Sequence, residues 1–420
     1  MPETHTALIQ SDIVLFGLIA ATLAFVFWTA SLKGVWQKFY GIVPPLLLCY
    51  FIPGIFNSLG VIDGAGSQLY NPVASRVLLP AALVLLTLTI DLKAVMGLGW
   101  KLLAMYFGSS FSIMLGAFFA FWVMQHAHPA TTAGDTWGGM AALAGSWIGG
   151  GANMVAMKEI FQVDETTFGQ FVVLDVGVGY VWMAVLIFLA GRAKAIDARS
   201  GADTSAIDAL KARLADYSAQ HARIPTLTDY MLIIGLAFGV VGLAHAVSPP
   251  LAGLFAPYPW AHAASLDSPY VWVVLLATFA GLALSFTRAR QLDGAGASKI
   301  GTLLLYVLIA CIGMQMDIAA LLGRPWLFVL GVLWIAVHIV LLWLLGRLLK
   351  VPFFYFAIGS QSNIGGPASA PVVAAVFHPA LAPVGALLGT LGYATGTVLA
   401  YLVGIGLRAM ADAAQIGQHR

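Results

Sequence analysis

Apolar stretches of about 20 residues recur along this chain, at 12–31, 41–60, 73–91, 102–124, 167–191, 228–247, 270–287, 300–317, 325–346 and 383–407. One such stretch, wound as a helix, crosses a hydrocarbon core of about 30 Å. No water is present there to satisfy backbone N–H and C=O groups, so each segment must satisfy them itself. The chain is 60% apolar and 9% charged, against about 25% charged in a soluble domain. We therefore expect an all-α integral membrane protein. A net charge of +2, with Lys and Arg scattered among loops, gives no surface for nucleic acid. Cys49 and Cys311 sit in apolar runs and read as buried free thiols. The opening residues carry no basic stretch, so no cleaved signal peptide is expected.

Two further apolar segments, 138–161 and 354–377, contain glycine clusters: "GSWIGGGANMVAM" at 145–157 and "SQSNIGGPASAPV" at 360–372. Aligning Ile148 with Ile364 places Ser146 on Ser362, Gly149 and Gly150 on Gly365 and Gly366, Asn153 on Ser369, and Phe161 on Phe377. Glycine costs a helix interior about 1 kcal/mol against alanine, so a cluster that occurs twice needs a reason. Each segment either crosses the membrane or enters, turns at the glycines and leaves on the same side. Charge favours the turn. With the N-terminus outside, the loops 32–40, 92–101, 192–227, 288–299 and 347–353 face the cytoplasm. They hold all of the 20 basic residues except Arg76, Lys158, Arg324, Arg408 and Arg420. Full crossings would reverse that bias, against the positive-inside rule. Each arm of about 10–12 residues also reaches only the membrane midplane at 1.5 Å per residue.

Other matches accompany the glycines. "TLTIDLKAV" pairs with "GMQMDIAAL", aligning Asp91 with Asp317, and "VGVGY" pairs with "GTLGY", aligning Tyr180 with Tyr393. Residues 12–191 and 228–407 thus read as two copies of one unit, each with five transmembrane helices and one re-entrant glycine-rich helical hairpin. Five is odd, so the second copy is inverted, as in secondary transporters. Between them lies a polar cytoplasmic linker, 192–227, with helical spacing at Ile207, Leu210, Leu214 and Tyr217.

Irregular backbone survives at membrane depth only when it is buried in protein or lines a cavity. At each tip one half-helix ends with free C=O groups and another begins with free N–H groups, which suit a cation and an anion respectively. The candidate solute site is therefore Ser146, Gly149, Gly150, Gly151 and Asn153 from one tip. The other tip adds Ser360, Gln361, Ser362, Asn363, Gly365, Gly366 and Ser369. Asp175, near the centre of its span, is the candidate cation ligand or proton carrier, because a carboxylate there is costly to insert. Asp91 and Asp317 recur at one repeat position and are secondary coupling candidates beside a solvated end-cap reading. His338 reads as a histidine hydrogen-bonded between helices. Lys158 and Glu159 are adjacent on a helix and should not face each other, so solvent or headgroup contacts are expected. His126 and His128 lack further ligands for a metal. No cofactor is expected, and Na⁺ enters only as cargo.

"AGSWIGGGANMVAMKE" and "GSQSNIGGPASAPVVAAVF…LGTLGYATG" resemble, over nearly the whole chain, a widespread family of uncharacterised integral membrane proteins. That family is distantly similar to sodium–glutamate symporters and 2-hydroxycarboxylate transporters. The resemblance implies an elevator-type secondary transporter, in which a part carrying the hairpins slides against a scaffold that forms a homodimer. No Arg or Lys lies at either tip, which favours a solute with one carboxylate, or a zwitterion, over a dicarboxylate. No G-x-x-x-x-G-K-[ST], G-x-S-x-G or H-E-x-x-H motif is present, so neither an ATP-driven pump nor a membrane hydrolase is expected. Cation-coupled symport of a small anionic or zwitterionic solute is the leading reading. Monovalent cation/proton antiport is the alternative, and a bacterial inner membrane is the expected location.

Overall fold

The computed structural model describes residues 7–40, 43, 45–64, 66–202, 207, 224–315, 324–378 and 381–418. The helix expected over 207–217 falls outside them, save Ile207, as does Asp317. Among the described residues the secondary structure is helical, apart from one isolated bridge between Ile9 and Ile62. Fourteen helices matter here. The first half supplies α1 (Asp12–Ala30), α2 (Pro45–Ser58), α3 (Leu69–Leu88, of which Leu69–Leu78 is π-type), α4 (Trp100–Ala127), α5 (Thr136–Gly149), α6 (Gly151–Phe161) and α7 (Glu165–Ala190). The second half supplies α8 (Leu227–Phe255), α9 (Pro269–Ser285), α10 (Ala297–Gly313), α11 (Trp326–Leu348), α12 (Phe353–Ile364), α13 (Gly366–Phe377) and α14 (Ala382–Gln418). Seven of these (α1, α3, α4, α7, α8, α11 and α14) are long and apolar enough to cross a membrane. The apolar helices within α2, α9 and α10 are shorter.

The helices sort into two bundles. One contains α1, α2, α3, α8, α9 and α10; the other contains α4–α7 and α11–α14. Each half of the chain contributes to both, so the halves interleave. In the first bundle α3 lies on α9 and α10 lies on α2, while α1 lies on α10 and α8 lies on α3. The main seam between bundles is narrower, formed where α6 and α14 meet α3 and α9.

Small residues let neighbouring helices approach one face of α4 closely. On α4, Phe111, Leu115, Phe119 and Trp122 are exposed, while Ser109, Ser112, Gly116, Ala117 and Ala120 are buried. Lipid solvates large apolar groups as well as a protein core does, so helices associate through small residues that allow close packing. A Cβ on Gly116 would lie 2.8 Å from Cδ1 of Trp334, whose indole N–H donates to the Ile113 carbonyl at 2.7 Å. Cys49 and Cys311 are buried free thiols, as expected.

Candidate functional site: two broken-helix tips

Both glycine clusters break their helices. Gly150 separates α5 from α6 at φ 86°, and Gly366 opens α13 at φ 56°. An L side chain in that left-handed region costs about 1–2 kcal/mol, which is why glycine stands there. Both pairs fold back. A Cβ on Gly145 would lie 2.5 Å from the Asn153 carbonyl oxygen, and Gln361 Nε2 donates to Ser369 Oγ at 2.7 Å. Eight residues of continuous helix would hold either pair about 12 Å apart. The two contacts occupy equivalent positions in the motif alignment, one across each turn.

The tips also meet. A Cβ on Gly366 would sit 3.8 Å from Gly150 Cα. Helix α14 runs past both. A Cβ on Gly389 would lie 2.6 Å from Pro367 Cα, and one on Gly396 2.5 Å from Gly149 Cα. Gly151 faces the other bundle, where its Cβ would lie 4.0 Å from Leu305 Cδ2. The approaches at Gly389 and Gly396 are backbone on backbone, so a neighbouring rotamer cannot relieve them. Gly396→Ala is therefore expected to destabilise the protein by about 1–3 kcal/mol through overpacking. Gly235→Ala is the control, since nothing lies within 4 Å of its Cβ position on α8 and alanine favours the helix by up to about 1 kcal/mol. Melting of the two detergent-purified variants should move in opposite directions; equal shifts would contradict the close approach.

Most polar side chains at the tips are engaged by the protein. Ser146 Oγ and Trp147 Nε1 donate to the two oxygens of Asp175 at 2.7 and 2.8 Å. Asn153, fully buried, places its Nδ2 near the carbonyls of Gly149, Gly392 and Tyr393 (3.1–3.3 Å) and accepts from Thr397 Oγ1 at 2.5 Å. Its side chain thus ties the first tip to α14. Asn363 does the same toward α4: it accepts from Ser110 Oγ at 2.6 Å and donates to the Tyr106 and Gly359 carbonyls. Ser360 Oγ accepts from Trp182 Nε1 and pairs with His338 Nε2, each at 2.8 Å, while His338 Nδ1 pairs with Ser112 Oγ at 2.7 Å. His338 thus bridges α4 and α12, the interhelical role read from the sequence. Gln361 Oε1 and Ser362 Oγ are buried and have no hydrogen-bond partner among the described residues.

Asp91 lies at the end of α3 rather than with the tips. It caps the short helix Leu92–Met96 by accepting from the Ala94 N–H at 2.9 Å, and it pairs with Arg290 at 2.5 Å. Expected solvent contacts at Lys158 and Glu159 are corrected by the fold. Both are buried, and Lys158 Nζ lies 3.3 Å from Glu159 Oε1, 3.1 Å from Glu165 Oε1 and 2.5 Å from Tyr70 Oη. Adjacent residues leave a helix in different directions, but these long side chains sit in its last turn and converge on Tyr70, which also donates to Glu159. Tyr70 belongs to the other bundle, and no local pattern marks it as their partner. Ser110 and Thr397, partners of the site residues, were likewise illegible without the fold.

These features define a helical membrane protein built around two broken-helix hairpins whose tips meet within the bundle that carries them, next to a half-buried carboxylate. The chain belongs to the family described as a protein of unknown function, DUF819, whose model matches residues 17–410. It is also similar to an uncharacterised membrane protein, YjcL, of Bacillus subtilis (strain 168). The two are 26% identical over 413 residues, which cover 95% of this chain and 98% of that one.

Proposed function

We propose that the protein is a secondary active transporter, rather than an enzyme, that couples Na⁺ or H⁺ to symport of a small anionic or zwitterionic solute. The observation that carries this reading is the meeting of two broken-helix tips beside Asp175. Each tip brings helix N-terminal N–H groups, which attract an anion, and Asp175 supplies the charge for a cation. The two-bundle packing supports an elevator movement: the bundle holding both hairpins would slide along the α3 and α9 seam. In this reading the inverted copies give outward and inward states of similar energy. The other bundle would be the scaffold of a homodimer in a bacterial inner membrane.

One observation favours the antiporter alternative. Ser146, Asn153, Ser360 and Asn363 are already hydrogen-bonded within the protein, so fewer side chains are free for an organic solute than the sequence suggests. Thermal stability separates the two readings. The purified protein is melted in Na⁺, K⁺ or choline at two pH values, against amino acids, small carboxylates and short peptides. A ligand at 100 times its Kd adds about 2.7 kcal/mol. A shift requiring both Na⁺ or acid pH and one organic solute is the expected result. A shift with cation or pH alone would replace symport with antiport.

A further inference from the structure

The two tips differ in what they leave unsatisfied. At the first, Ser146, Trp147 and Asn153 are all engaged by Asp175, by backbone carbonyls or by Thr397. At the second, the Gln361 amide is half used. Its Nε2 donates to Ser369 Oγ, while its Oε1 is buried with no hydrogen-bond partner among the described residues. Gln361 is only 2% exposed, so water does not supply the missing donor from an open surface. The amide lies over the break itself, since a Cβ on Gly365 would run into it. Ser362 Oγ, one residue on, is fully buried and equally unpartnered.

The start of α13 completes this arrangement. The first N–H groups of a helix have no partner within it. Here the Gly365 N–H already donates to the Gln361 carbonyl, and Pro367 has no N–H. By that rule the N–H groups at the first turn of α13, from Gly366 on, have no partner within the helix, and the break they follow is the one the Gln361 amide lies over. A simple carboxylate would satisfy the N–H groups and leave Gln361 Oε1 bare. A buried acceptor that is left bare penalises the wrong ligand.

Resting on the symporter reading above, we propose that the second tip, not the first, holds the organic solute, and that this solute is a monocarboxylate that also carries an N–H or O–H donor. The carboxylate sits on the α13 N-terminus and the donor meets Gln361 Oε1. The first tip, closed on itself, holds Asp175 for the cation.

Matched pairs test this on the full-length, detergent-purified protein in Na⁺ at fixed pH. Amino and hydroxy monocarboxylates are compared by thermal shift with counterparts lacking the donor, such as alanine and lactate against propionate. The donor-bearing member should act at a concentration at least roughly tenfold lower. Gln361→Met, which keeps the length and apolar bulk of the side chain, should erase that difference while the Na⁺ response remains. Equal potency within every pair would overturn the donor requirement but leave the symporter reading standing. A preserved preference in Gln361→Met would overturn the assignment to the second tip. Cation shifts with no response to any organic compound would overturn both readings.

Discussion

Replacing Lys158 with methionine is expected to cost about 3–5 kcal/mol, the range for removing one partner of a buried ion pair. The cost does not come from lost packing, because methionine keeps most of the side-chain length over the Tyr70 and Phe168 rings, which the ammonium now faces at 4.7 and 5.8 Å. It comes from Glu159, whose side chain is 10% exposed and whose carboxylate would be left without its cation. Glu165 is more open, with 35% of its side chain exposed, and contributes less. The double variant Lys158→Met, Glu159→Gln removes the stranded charge and should recover much of the loss, since Tyr70 can still donate to the amide oxygen. Melting of both proteins in detergent checks this. A loss below about 1 kcal/mol in the single variant, or no recovery in the double, would show that the cluster is solvated.

Asp175→Asn is expected to leave the fold intact and remove the cation response. The carboxylate accepts one hydrogen bond from Trp147 Nε1 and one from Ser146 Oγ. An indole N–H can only donate, so the asparagine oxygen must turn toward Trp147. Its NH₂ then faces Ser146, whose hydroxyl can rotate and accept. Geometry therefore survives while the negative charge does not, and the melting midpoint in choline should change by less than about 1 kcal/mol. The shift produced by Na⁺ or by lowered pH should fall at least tenfold in sensitivity. An unchanged response would move cation coupling away from Asp175. A large loss of stability in choline would assign the carboxylate to helix packing.

Asp175 and Lys158 differ in how much of their surroundings the sequence showed. Asp175 stood out because an isolated carboxylate in a long apolar run has no local explanation, and its partners Ser146 and Trp147 lie within a motif already under suspicion. Lys158 was misread because what turns it and its neighbour Glu159 inward is distant: Tyr70, on which both converge, comes from a helix nearly ninety positions earlier. Asn153 and Asn363 mark a subtler limit. Their placement at the glycine tips was legible, but their use was not. An amide near a broken helix can face a solute or a neighbouring helix, and here both amides face neighbours.

What the sequence alone determined is set by the bilayer. In hydrocarbon each backbone group must find its partner locally, so long apolar runs become helices. Clustered glycines flanked by Ser and Asn mark where those helices break. That logic is short-range and reads directly from the chain. Tertiary structure alone decided that the chain halves interleave into two bundles and that α14 presses its glycines on both tips. It also decided which polar atoms remain unmet. Those outcomes depend on contacts between residues far apart in sequence, at Gly149 and Gly396 or Ser110 and Asn363, where a shift of an ångström changes which hydrogen bonds form.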